Sequence, residues 1–393
     1  MMRPLDGITV ISLEHAIAAP FCTRQLADLG ARVIKIERPV TGDFARNYDQ
    51  RVKGMSSHFT WTNRSKESLC LDIKHPKGFE ALLKLLAKAD VLVQNLAPGA
   101  TERLGLSSEK LKELNPRLIV CDISGYGNDG PYRDKKAYDL LIQSEAGFLS
   151  VTGTKDTPSK AGNSIADIAA GMYAYTNILS ALILRGKTGE GSHIDVSMLE
   201  ALGEWMGFPM YYAYEDASPP QRSGASHATI YPYGPFQVGD GNTIMLGLQN
   251  EREWLVFCEK VLKIPSLAHD EMFALNFKRH ENRAPLEKII IDCFSKLNIK
   301  EVTDLLESAQ IANARMNNMK DLWDHPQLSA RDRWHEVGSP IGNVPALLPP
   351  GVNNQYEYRM DAIPDIGEHS ELILQELGFD EATIQEMRAA KAI

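Results

Sequence analysis

Apolar residues in the first half of the chain alternate between the spacing of strands and the spacing of helices. Short apolar runs predict buried strands, and apolar positions three or four residues apart predict helices. Because strands that alternate with helices favour a parallel sheet covered on both faces, the pattern predicts a Rossmann-like α/β domain. The predicted strands are Ile8–Leu13, Arg32–Glu37, Val91–Val93, Leu118–Ile123 and His193–Met198, and the predicted helices are Pro20–Leu29, Pro76–Ala89 and residues 163–185.

The second half of the chain predicts a smaller α/β domain. Residues 218–241 are dense in Pro, Gly and Ser and predict a domain connection with a functional loop. We expect a large domain over residues 1–200, completed by 330–393, a linker over 201–224 and a small domain over 225–329. The elements predicted here are the strand Thr243–Gly247, the helices Glu251–Leu262 and Pro285–Lys296, an extended course over 338–364, and a C-terminal helix pair, Glu368–Leu377 and Asp380–Lys391.

Composition and charge exclude several classes of protein. The 393 residues include 42 Lys and Arg against 51 Asp and Glu, a net charge of −9, which argues against a general nucleic-acid or anionic-membrane binder. No apolar run approaches the roughly 18 residues of a membrane span, and the N-terminus lacks the apolar core of a signal peptide. The five cysteines form no CxxC pair, so we predict a cytoplasmic protein without disulfides or a cysteine-based zinc site.

The motifs of several cofactors and catalytic classes are missing from the sequence. No G-x-G-x-x-G follows the first predicted strand, which disfavours nicotinamide and flavin binding. No H-E-x-x-H spacing indicates a metal, and no G-x-S-x-G turn indicates a serine hydrolase. We therefore predict an enzyme without a metal, nicotinamide or flavin.

Asp167 is the first candidate for chemistry. It lies near the start of a helix otherwise built from Ala, Ile, Gly, Met and Tyr. Few neighbours can solvate a carboxylate there, although the amides of a helix N-terminus can stabilise its charge. The alternative is a first-turn acid that only complements the helix dipole.

Two further stretches resemble turns that handle phosphate. Asn95 and Leu96 follow a predicted strand and precede Arg103, whose planar guanidinium suits a phosphate. The second stretch is Leu71, Asp72, Ile73 and Lys74. Taken singly, each is equally typical of a solvated turn.

A loop-like stretch over Arg222–Phe236 combines Gly, Ser, His and aromatic residues. Such a loop could cover an active site, with His227 as a candidate acid or base. It could equally be a linker between domains.

Seven segments, taken in order, resemble the family III CoA-transferases, the group that contains formyl-CoA transferase and carnitine CoA-transferase. They span roughly residues 4–205. The segments are LDGITVISLEHAIAAP, GARVIKIERP, NRSKESLCLDIK, ADVLVQNLAPGATERLGL, NPRLIVCDISGYGNDGPY, AYDLLIQSEAG, and the Asp167 helix with its continuation KTGEGSHIDVSMLEAL.

The resemblance implies a mechanism, an assembly and a set of site residues. Asp167 matches the family's catalytic aspartate, which attacks an acyl-CoA thioester and passes through an anhydride and an aspartyl-CoA thioester. The family fold is an interlocked homodimer, and Ser226, His227 and Ala228 occupy the approximate place of its mobile loop. The residues that match CoA-contacting positions are Ala16, Ile17, Arg38, Leu71, Asp72, Ile73, Lys74, Asn95, Leu96, Arg103, Lys136, Ala137, Tyr138 and Asp139.

The rival resemblance is to the α-methylacyl-CoA racemases, which share the fold. Those enzymes use a histidine in a G-H-D turn as one of two bases, and here the turn reads Ala137-Tyr138-Asp139. Tyrosine, with an ordinary pKa near 10, is a poor base near neutrality, so the transferase is favoured.

The segments SHATIYPYGPF and GLQNEREW resemble a branch of these CoA-transferases that uses C4 and C5 dicarboxylates. We therefore expect succinyl-CoA as donor and an acid such as itaconate, mesaconate or citramalate as acceptor. Arg222 or His227 could hold the distal carboxylate.

Overall fold

A six-stranded parallel sheet organises the first of two structural units in the computed structural model, which describes residues 2–393. Its strands lie in the order β3-β2-β1-β4-β5-β6, and every neighbouring pair is parallel. This is the order of Rossmann folds, so the predicted parallel α/β class is confirmed. The strands are β1 (Thr9–Leu13), β2 (Arg32–Glu37), β3 (Lys66–Cys70), β4 (Val91–Gln94), β5 (Ile119–Ser124) and β6 (His193–Ser197).

Helices connect and cover these strands, and others build the second unit. Three 3₁₀ segments, Phe44–Asn47, Tyr214–Asp216 and Pro265–His269, and a π-helical turn, Phe257–Val261, accompany them. The α-helices are α1 (Ala18–Asp28), α2 (Ser57–Thr62), α3 (Pro76–Leu86), α4 (Ala100–Arg103), α5 (Ser108–Leu114), α6 (Asp139–Glu145), α7 (Phe148–Val151), α8 (Ile165–Thr188), α9 (Met198–Trp205), α10 (Gly207–Tyr212), α11 (Glu251–Val256), α12 (Asn276–Glu281), α13 (Arg283–Phe294), α14 (Ile299–Ser308), α15 (Met319–Trp323), α16 (Pro326–Ala330), α17 (Ser370–Glu376) and α18 (Glu381–Ala389).

The first unit comprises residues 1–146, 161–206 and 328–393. On one face of its sheet, Ile11, Ile34 and Leu92 pack against α3, α17 and α18 in one apolar cluster. Successive strand side chains point to opposite faces, so Val10 and Val33 face the other side, where α1 and α8 contact the strands. The two C-terminal helices predicted from the sequence therefore complete the core of the first unit.

Helix α8 is the longest helix, and its length and composition alone would suffice to cross a bilayer. Core helices of globular proteins pass the same test, and α8 packs against α1 and α9 within the first unit. Its Gly171 allows a close approach, because a Cβ atom there would lie 2.6 Å from the Ala18 carbonyl oxygen of α1. The start of α8 is thereby held against the start of α1.

The second unit, residues 147–160 and 207–327, is built on a three-stranded antiparallel sheet. Its strands are β7 (Tyr233–Gln237), β8 (Thr243–Gly247) and β9 (Ala312–Arg315), and apolar side chains of β7 and β8 form a separate core with α11, α13 and α14. The helix predicted over Glu251–Leu262 is observed as α11 followed by the π-helical turn. A hairpin of β10 (Trp334–Val337) and β11 (Val344–Leu347) lies in the first unit, and only its second strand falls within the stretch 338–364 that was predicted to be extended.

Candidate active site

The carboxyl ends of β1 and β4 lie side by side where the strand order of the sheet reverses. Strand β1 pairs with β2 on one side and β4 on the other. Ligands of open α/β sheets bind in the crevice at such a switch point. His15, Ala16 and Ile17 follow β1, and Asn95 follows β4, so these predicted CoA-binding segments are neighbours in the first unit.

His15 and Asn95 join the two strand ends through reciprocal hydrogen bonds. The His15 backbone N–H donates to Asn95 Oδ1, and Asn95 Nδ2 donates to the His15 carbonyl, both at 2.9 Å. The imidazole stacks on Phe44 with 5.2 Å between ring centroids, and its buried Nδ1 has no hydrogen-bond partner within residues 2–393. Burial lowers the pKa of His15 against the opposing negative charge of Asp43, and the Lys35 and Arg38 cations add to the lowering. The ring is therefore neutral at pH 7 and offers an unused polar atom to a ligand.

The sequence analysis did not single out His15. The available signal was its place directly after the first strand, in the segment LEHAIAAP. Its ring acquires an unpartnered buried nitrogen only through the stacking with Phe44, which a strand pattern does not show.

Ala16 adopts a left-handed backbone conformation, with φ of 61°. An alanine in this region is strained, so surrounding contacts must hold it there. Its N–H donates to Asp43 Oδ1 at 3.2 Å, and the buried Asp43 is itself paired with Lys35 Nζ at 2.8 Å. Ile17 is buried as the residue preceding α1.

A fully buried ion network supports this turn from below. Lys35 and Lys66 both contact Glu14 Oε1, at 3.3 and 2.7 Å. Burial alone would raise the pKa of Glu14, but the two lysine cations lower it to about 2. Glu14 is therefore an ionised structural group and no candidate for proton transfer near neutrality.

Asp167 lies in the first turn of α8 and behaves in the opposite way. Burial raises the pKa of its carboxyl to about 7, and the negative charge of Asp139 raises it further in the same direction. Within residues 2–393, no cation or hydrogen-bond donor contributes to offset this shift. The carboxyl is thus available for chemistry, unlike the paired acids of the network.

The start of α8, with Asp167, lies near the switch point. There Tyr48 contacts Phe44 in a tilted arrangement, with 5.7 Å between ring centroids, and Phe44 stacks on His15. Burial raises the pKa of Tyr48 to about 12, and the charges of Asp43 and Asp167 add to this shift. Gly171 of α8 also approaches the Ala18 carbonyl at the start of α1, so the start of α8 and the turn between β1 and α1 lie in the same region of the first unit.

The turn before α6 approaches the glycine loop after β5 closely. A Cβ atom at Gly125 would lie 2.2 Å from Cβ of Ala137, so this crossing requires glycine. Lys136 and Tyr138 are exposed, whereas Asp139 turns its carboxylate to the start of α8. Of these four predicted contact positions, two are therefore exposed to solvent, Ala137 lies against the glycine loop, and Asp139 bonds to the start of the Asp167 helix.

The remaining predicted CoA positions lie along the carboxyl ends of neighbouring strands. Leu71 is buried and donates its N–H to the Glu37 carbonyl, while Lys74 is exposed. Asp72 Oδ1 accepts from the Lys74 N–H, and Ile73 packs on the core. Leu96 also packs on this core, and the exposed Arg103 donates to the Pro98 carbonyl at 3.2 Å.

The predicted substrate loop is firmly anchored within the second unit. The carbonyls of His227 and Ala228 accept hydrogen bonds from Arg283 and His280, at 2.8 and 2.7 Å. The His227 ring stacks on Tyr233 with 5.2 Å between centroids, and the Ser226 carbonyl accepts from the Ser223 hydroxyl. This segment is thus held by side chains from α12 and α13.

Arg222 is occupied by backbone carbonyls of the same unit. Its Nε donates to the Thr154 carbonyl and its Nη2 to the Lys155 carbonyl, both at 2.9 Å. These bonds leave Nη1 as the part of the guanidinium that could reach a ligand. In the described part of the chain, residues 2–393, no cluster of three or more His, Cys, Asp or Glu side chains could hold a metal.

Comparison with known proteins decides the family. The sequence model of CoA-transferase family III matches residues 5–370. The chain belongs to CoA-transferase family III. Family III proteins from distant organisms align along nearly its whole length. Human succinyl-CoA:glutarate CoA-transferase is 32% identical, over 100% of this chain and 90% of the relative. Succinyl-CoA:mesaconate CoA-transferase from Haloarcula hispanica is 31% identical, over 97% of this chain and 98% of the relative.

A solved structure supports the same assignment at the level of the fold. The crystal structure of a CAIB/BAIF family protein from Brucella suis superposes with a TM-score of 0.85 at 33% identity, covering 96% of this chain and 100% of that one. This family III chain is therefore an enzyme of the CoA-transferase type, with CoA thioesters as substrates. The named relatives transfer CoA, and Tyr138 stands where a racemase needs histidine, so the racemase alternative finds no support.

Proposed function

We propose that the enzyme moves CoA from succinyl-CoA to a second C4 or C5 dicarboxylate, with Asp167 as the nucleophile. The observation that supports Asp167 most directly is its raised pKa, about 7, without a compensating cation. A carboxylate with few stabilising partners is a stronger nucleophile than an ion-paired one. Its position in α8, beside the switch point of the sheet, suits a thioester held by the turns after β1 and β4.

The proposed reaction conserves the energy of the thioester. An Asp167 oxygen attacks the thioester carbon, the C–S bond breaks, and the electron pair leaves as CoA thiolate. The thiolate attacks the Asp167 carbonyl of this anhydride, giving aspartyl-CoA thioester and free succinate. The acceptor carboxylate then displaces CoA thiolate, and the thiolate attacks the acceptor carbonyl of the new anhydride, which regenerates Asp167. Each step exchanges one carboxylate or thiolate for another, so no external reductant, oxidant or nucleotide is required.

The dicarboxylate proposal is supported by the relatives and by one feature of the second unit. The two named relatives act with succinyl-CoA and with glutarate or mesaconate. In the loop, the N–H groups of Thr229 and Ile230 both donate to His227 Nδ1, at 3.2 and 3.1 Å. This occupies the Nδ1 lone pair, so the neutral ring carries its proton on Nε2. We infer that His227 donates a hydrogen bond from Nε2 to a substrate carboxylate and does not act as a base.

Burial lowers the pKa of His227, and the nearby Arg283 cation lowers it further, which keeps the ring neutral near pH 7. A neutral donor binds a carboxylate without an additional buried charge. Arg222 Nη1 is the second candidate for that carboxylate, because its other two nitrogens are bound to backbone carbonyls.

The nucleophile is tested by trapping. Incubation with succinyl-CoA followed by hydroxylamine or borohydride should modify Asp167, identified by peptide mass spectrometry. Asp167→Asn should lower turnover by at least about 10³-fold, since the amide cannot form the anhydride. The control is Glu204→Gln, an exposed acid in the same unit, which should retain full activity. Near-normal turnover by Asp167→Asn would eliminate the mechanism.

The acceptor class is tested with matched acids. Glutarate, mesaconate, itaconate and citramalate should accept CoA from succinyl-CoA, whereas butyrate and valerate, which lack the second carboxylate, should not. His227→Phe should raise KM for the dicarboxylate more than it changes kcat, while His227→Gln should retain part of the affinity. Equal use of valerate and glutarate would exclude recognition of a distal carboxylate.

We also propose that the chain works as an interlocked homodimer, the assembly that the resemblance to family III implies. Multi-angle light scattering should give about twice the mass of the 43.6 kDa chain. A monomeric mass at micromolar concentration would refute this assembly.

A further inference from the structure

Helix α8 begins without a capping side chain of its own. The residue before it, Ser164, makes no side-chain hydrogen bond to the first turn. The first N–H groups of any helix lack partners within the helix, and a buried helix start needs acceptors from elsewhere. Ala166, in this first turn, is fully buried.

The acceptor comes from another helix. Asp139, the first residue of α6, accepts hydrogen bonds at Oδ1 from the N–H groups of Ala166 at 2.8 Å and Asp167 at 3.3 Å. Its second oxygen, Oδ2, accepts from Gln143 Nε2 at 2.6 Å. Gln143 is fully buried, and its Oε1 accepts from the Ala161 N–H at 2.9 Å. Asp139 is therefore fixed by both of its oxygens.

We propose that Asp139 is a positioning residue with two effects on the nucleophile Asp167. From helix α6 it caps the start of α8, and it raises the energy of the ionised Asp167 carboxylate relative to its uncharged and covalent forms. This inference rests on the proposed role of Asp167. It assigns Asp139 a function that differs from the CoA contact implied by the resemblance. Because Asp139 uses the N–H groups at the helix start, these donors are unavailable to the Asp167 carboxylate.

The second effect is electrostatic. The titratable groups that act on or near Asp167 are Asp139 on α6, Tyr48 after the 3₁₀ segment Phe44–Asn47, and Tyr138 before α6. Burial opposes ionisation of Asp167 most strongly, and the negative charge of Asp139 opposes it further. When Asp167 becomes an anhydride or thioester its charge leaves with the CoA thiolate or the acid. The repulsion is then relieved, so Asp139 favours the covalent states over the free carboxylate.

Substitution of Asp139 separates its charge from its capping bonds. Asp139→Asn keeps an oxygen acceptor and removes the charge, Asp139→Glu keeps the charge, and Asp139→Ala removes both. With Asn and Ala, the acid limb of the kcat–pH profile should move to lower pH by roughly one unit, while Glu should leave it near the wild-type position. Ala alone should also lower the plateau kcat, by about tenfold, because the helix start loses its acceptor.

The equilibrium between free Asp167 and its CoA adduct provides an independent measurement, because it depends on the same free energy of the ionised carboxylate as the pH profile does. One pH unit corresponds to a tenfold change in an equilibrium constant. If the limb moves by one unit in Asp139→Asn, the equilibrium fraction of aspartyl-CoA adduct at pH 8, measured by intact mass spectrometry, should correspond to a constant about tenfold lower than wild type.

The outcomes distinguish this inference from the proposed function. If Asp167→Asn is inactive and wild-type Asp167 is trapped, but Asp139→Asn leaves both the pH limb and the adduct constant unchanged, the inference about Asp139 is wrong and the nucleophile stands. If Asp167→Asn is active, the proposed function itself fails. Thermal unfolding of each variant by circular dichroism verifies that it is folded. If Asp139→Ala does not fold, the comparison of Asp139→Asn with Asp139→Glu still tests the effect of the charge.

Discussion

At the residue scale, the buried acids of the first unit fall into two groups with opposite behaviour. Burial would raise the pKa of Glu37, but the Arg46 and Lys35 cations lower it to about 2, as the lysines do for Glu14. Among the described residues, 2–393, Asp167 has no such partner, and its pKa is about 7. Acids whose environments push their pKa values apart have different roles, so pairing marks the structural acids and its lack marks the reactive one.

This difference predicts that the ionised Asp167 carboxylate, although required for activity, lowers the stability of the folded enzyme. A carboxyl whose pKa is higher in the folded state binds its proton more tightly there, so folding loses stability as pH rises from about 4 to about 7. Asp167→Asn should therefore raise the unfolding temperature at pH 8 while abolishing turnover. Differential scanning calorimetry at pH 4 should show a smaller difference from wild type than at pH 8. A lower unfolding temperature than wild type at pH 8 would contradict the raised pKa.

Sequence reasoning selected Asp167 because a single acid at the start of an apolar helix has few groups to solvate it. It could not select Asp139 for the role proposed here. That role depends on two hydrogen bonds across 27 and 28 residues of sequence, and the chain passes through other elements between them.

At the scale of elements, β3 shows why a strand with buried polar residues is not predicted from the pattern of apolar residues. Its residues Lys66 and Ser68 are buried, and each has a specific partner, Glu14 and Glu37 respectively. The strand pattern relies on apolar residues, so this strand was not predicted. The same holds for β9, whose sequence ANAR is short and largely exposed. Both strands are defined by their neighbours in the sheet.

The ion network between β1, β2 and β3 should be costly to break. Lys35→Met leaves Asp43 without its cation and Glu14 with one lysine in place of two, all fully buried. We expect a loss of about 3–5 kcal/mol in the free energy of unfolding, because uncompensated buried charges are expensive. Urea unfolding at pH 7 measures this loss.

A matched exposed pair provides the control for that variant. Lys77→Met breaks a solvent-exposed pair with Glu80 and should change stability by about 0–1 kcal/mol. A pH series adds a second criterion. Glu14 stabilises the wild type above pH of about 4.5, and this contribution is lost as pH falls towards 2, so the gap between wild type and Lys35→Met should narrow in acid. Equal effects of the two variants at pH 7 would refute the role of the network.

At the scale of the whole molecule, the chain returns to its first unit to finish the core. Ile373, Ile384 and Met387, from the last two helices, are fully or almost fully buried in the cluster beneath β1 and β2. The Asp72 N–H also donates to the Ala392 carbonyl at 2.7 Å, next to the predicted Leu71–Lys74 stretch. The C-terminus therefore supports the same edge of the sheet as the candidate site.

This return predicts that a change near the C-terminus destabilises the first unit. Ile384→Ala should lower the free energy of unfolding by about 2–5 kcal/mol, since it removes a buried side chain and leaves a cavity. Glu386→Ala, on the exposed side of the same helix, should change it by less than about 0.5 kcal/mol. Urea unfolding followed by tryptophan fluorescence compares the two, and similar losses for both would argue against packing of α18 on the sheet.

The amino-acid sequence by itself determined the parallel α/β class, the long helix with its acid near the start, and the membership of family III. These features are local: apolar periodicity specifies each element, and short motifs follow one another along the chain. Tertiary structure alone decided the partners of buried polar groups. His15 with Asn95, Lys66 with Glu14, and Asp139 with the start of α8 are separated by 80, 52 and 27 residues. Burial raises the energy of every unpaired charge, and which charges stay unpaired depends on distant segments meeting, so the reactivity of Asp167 is a property of the folded chain.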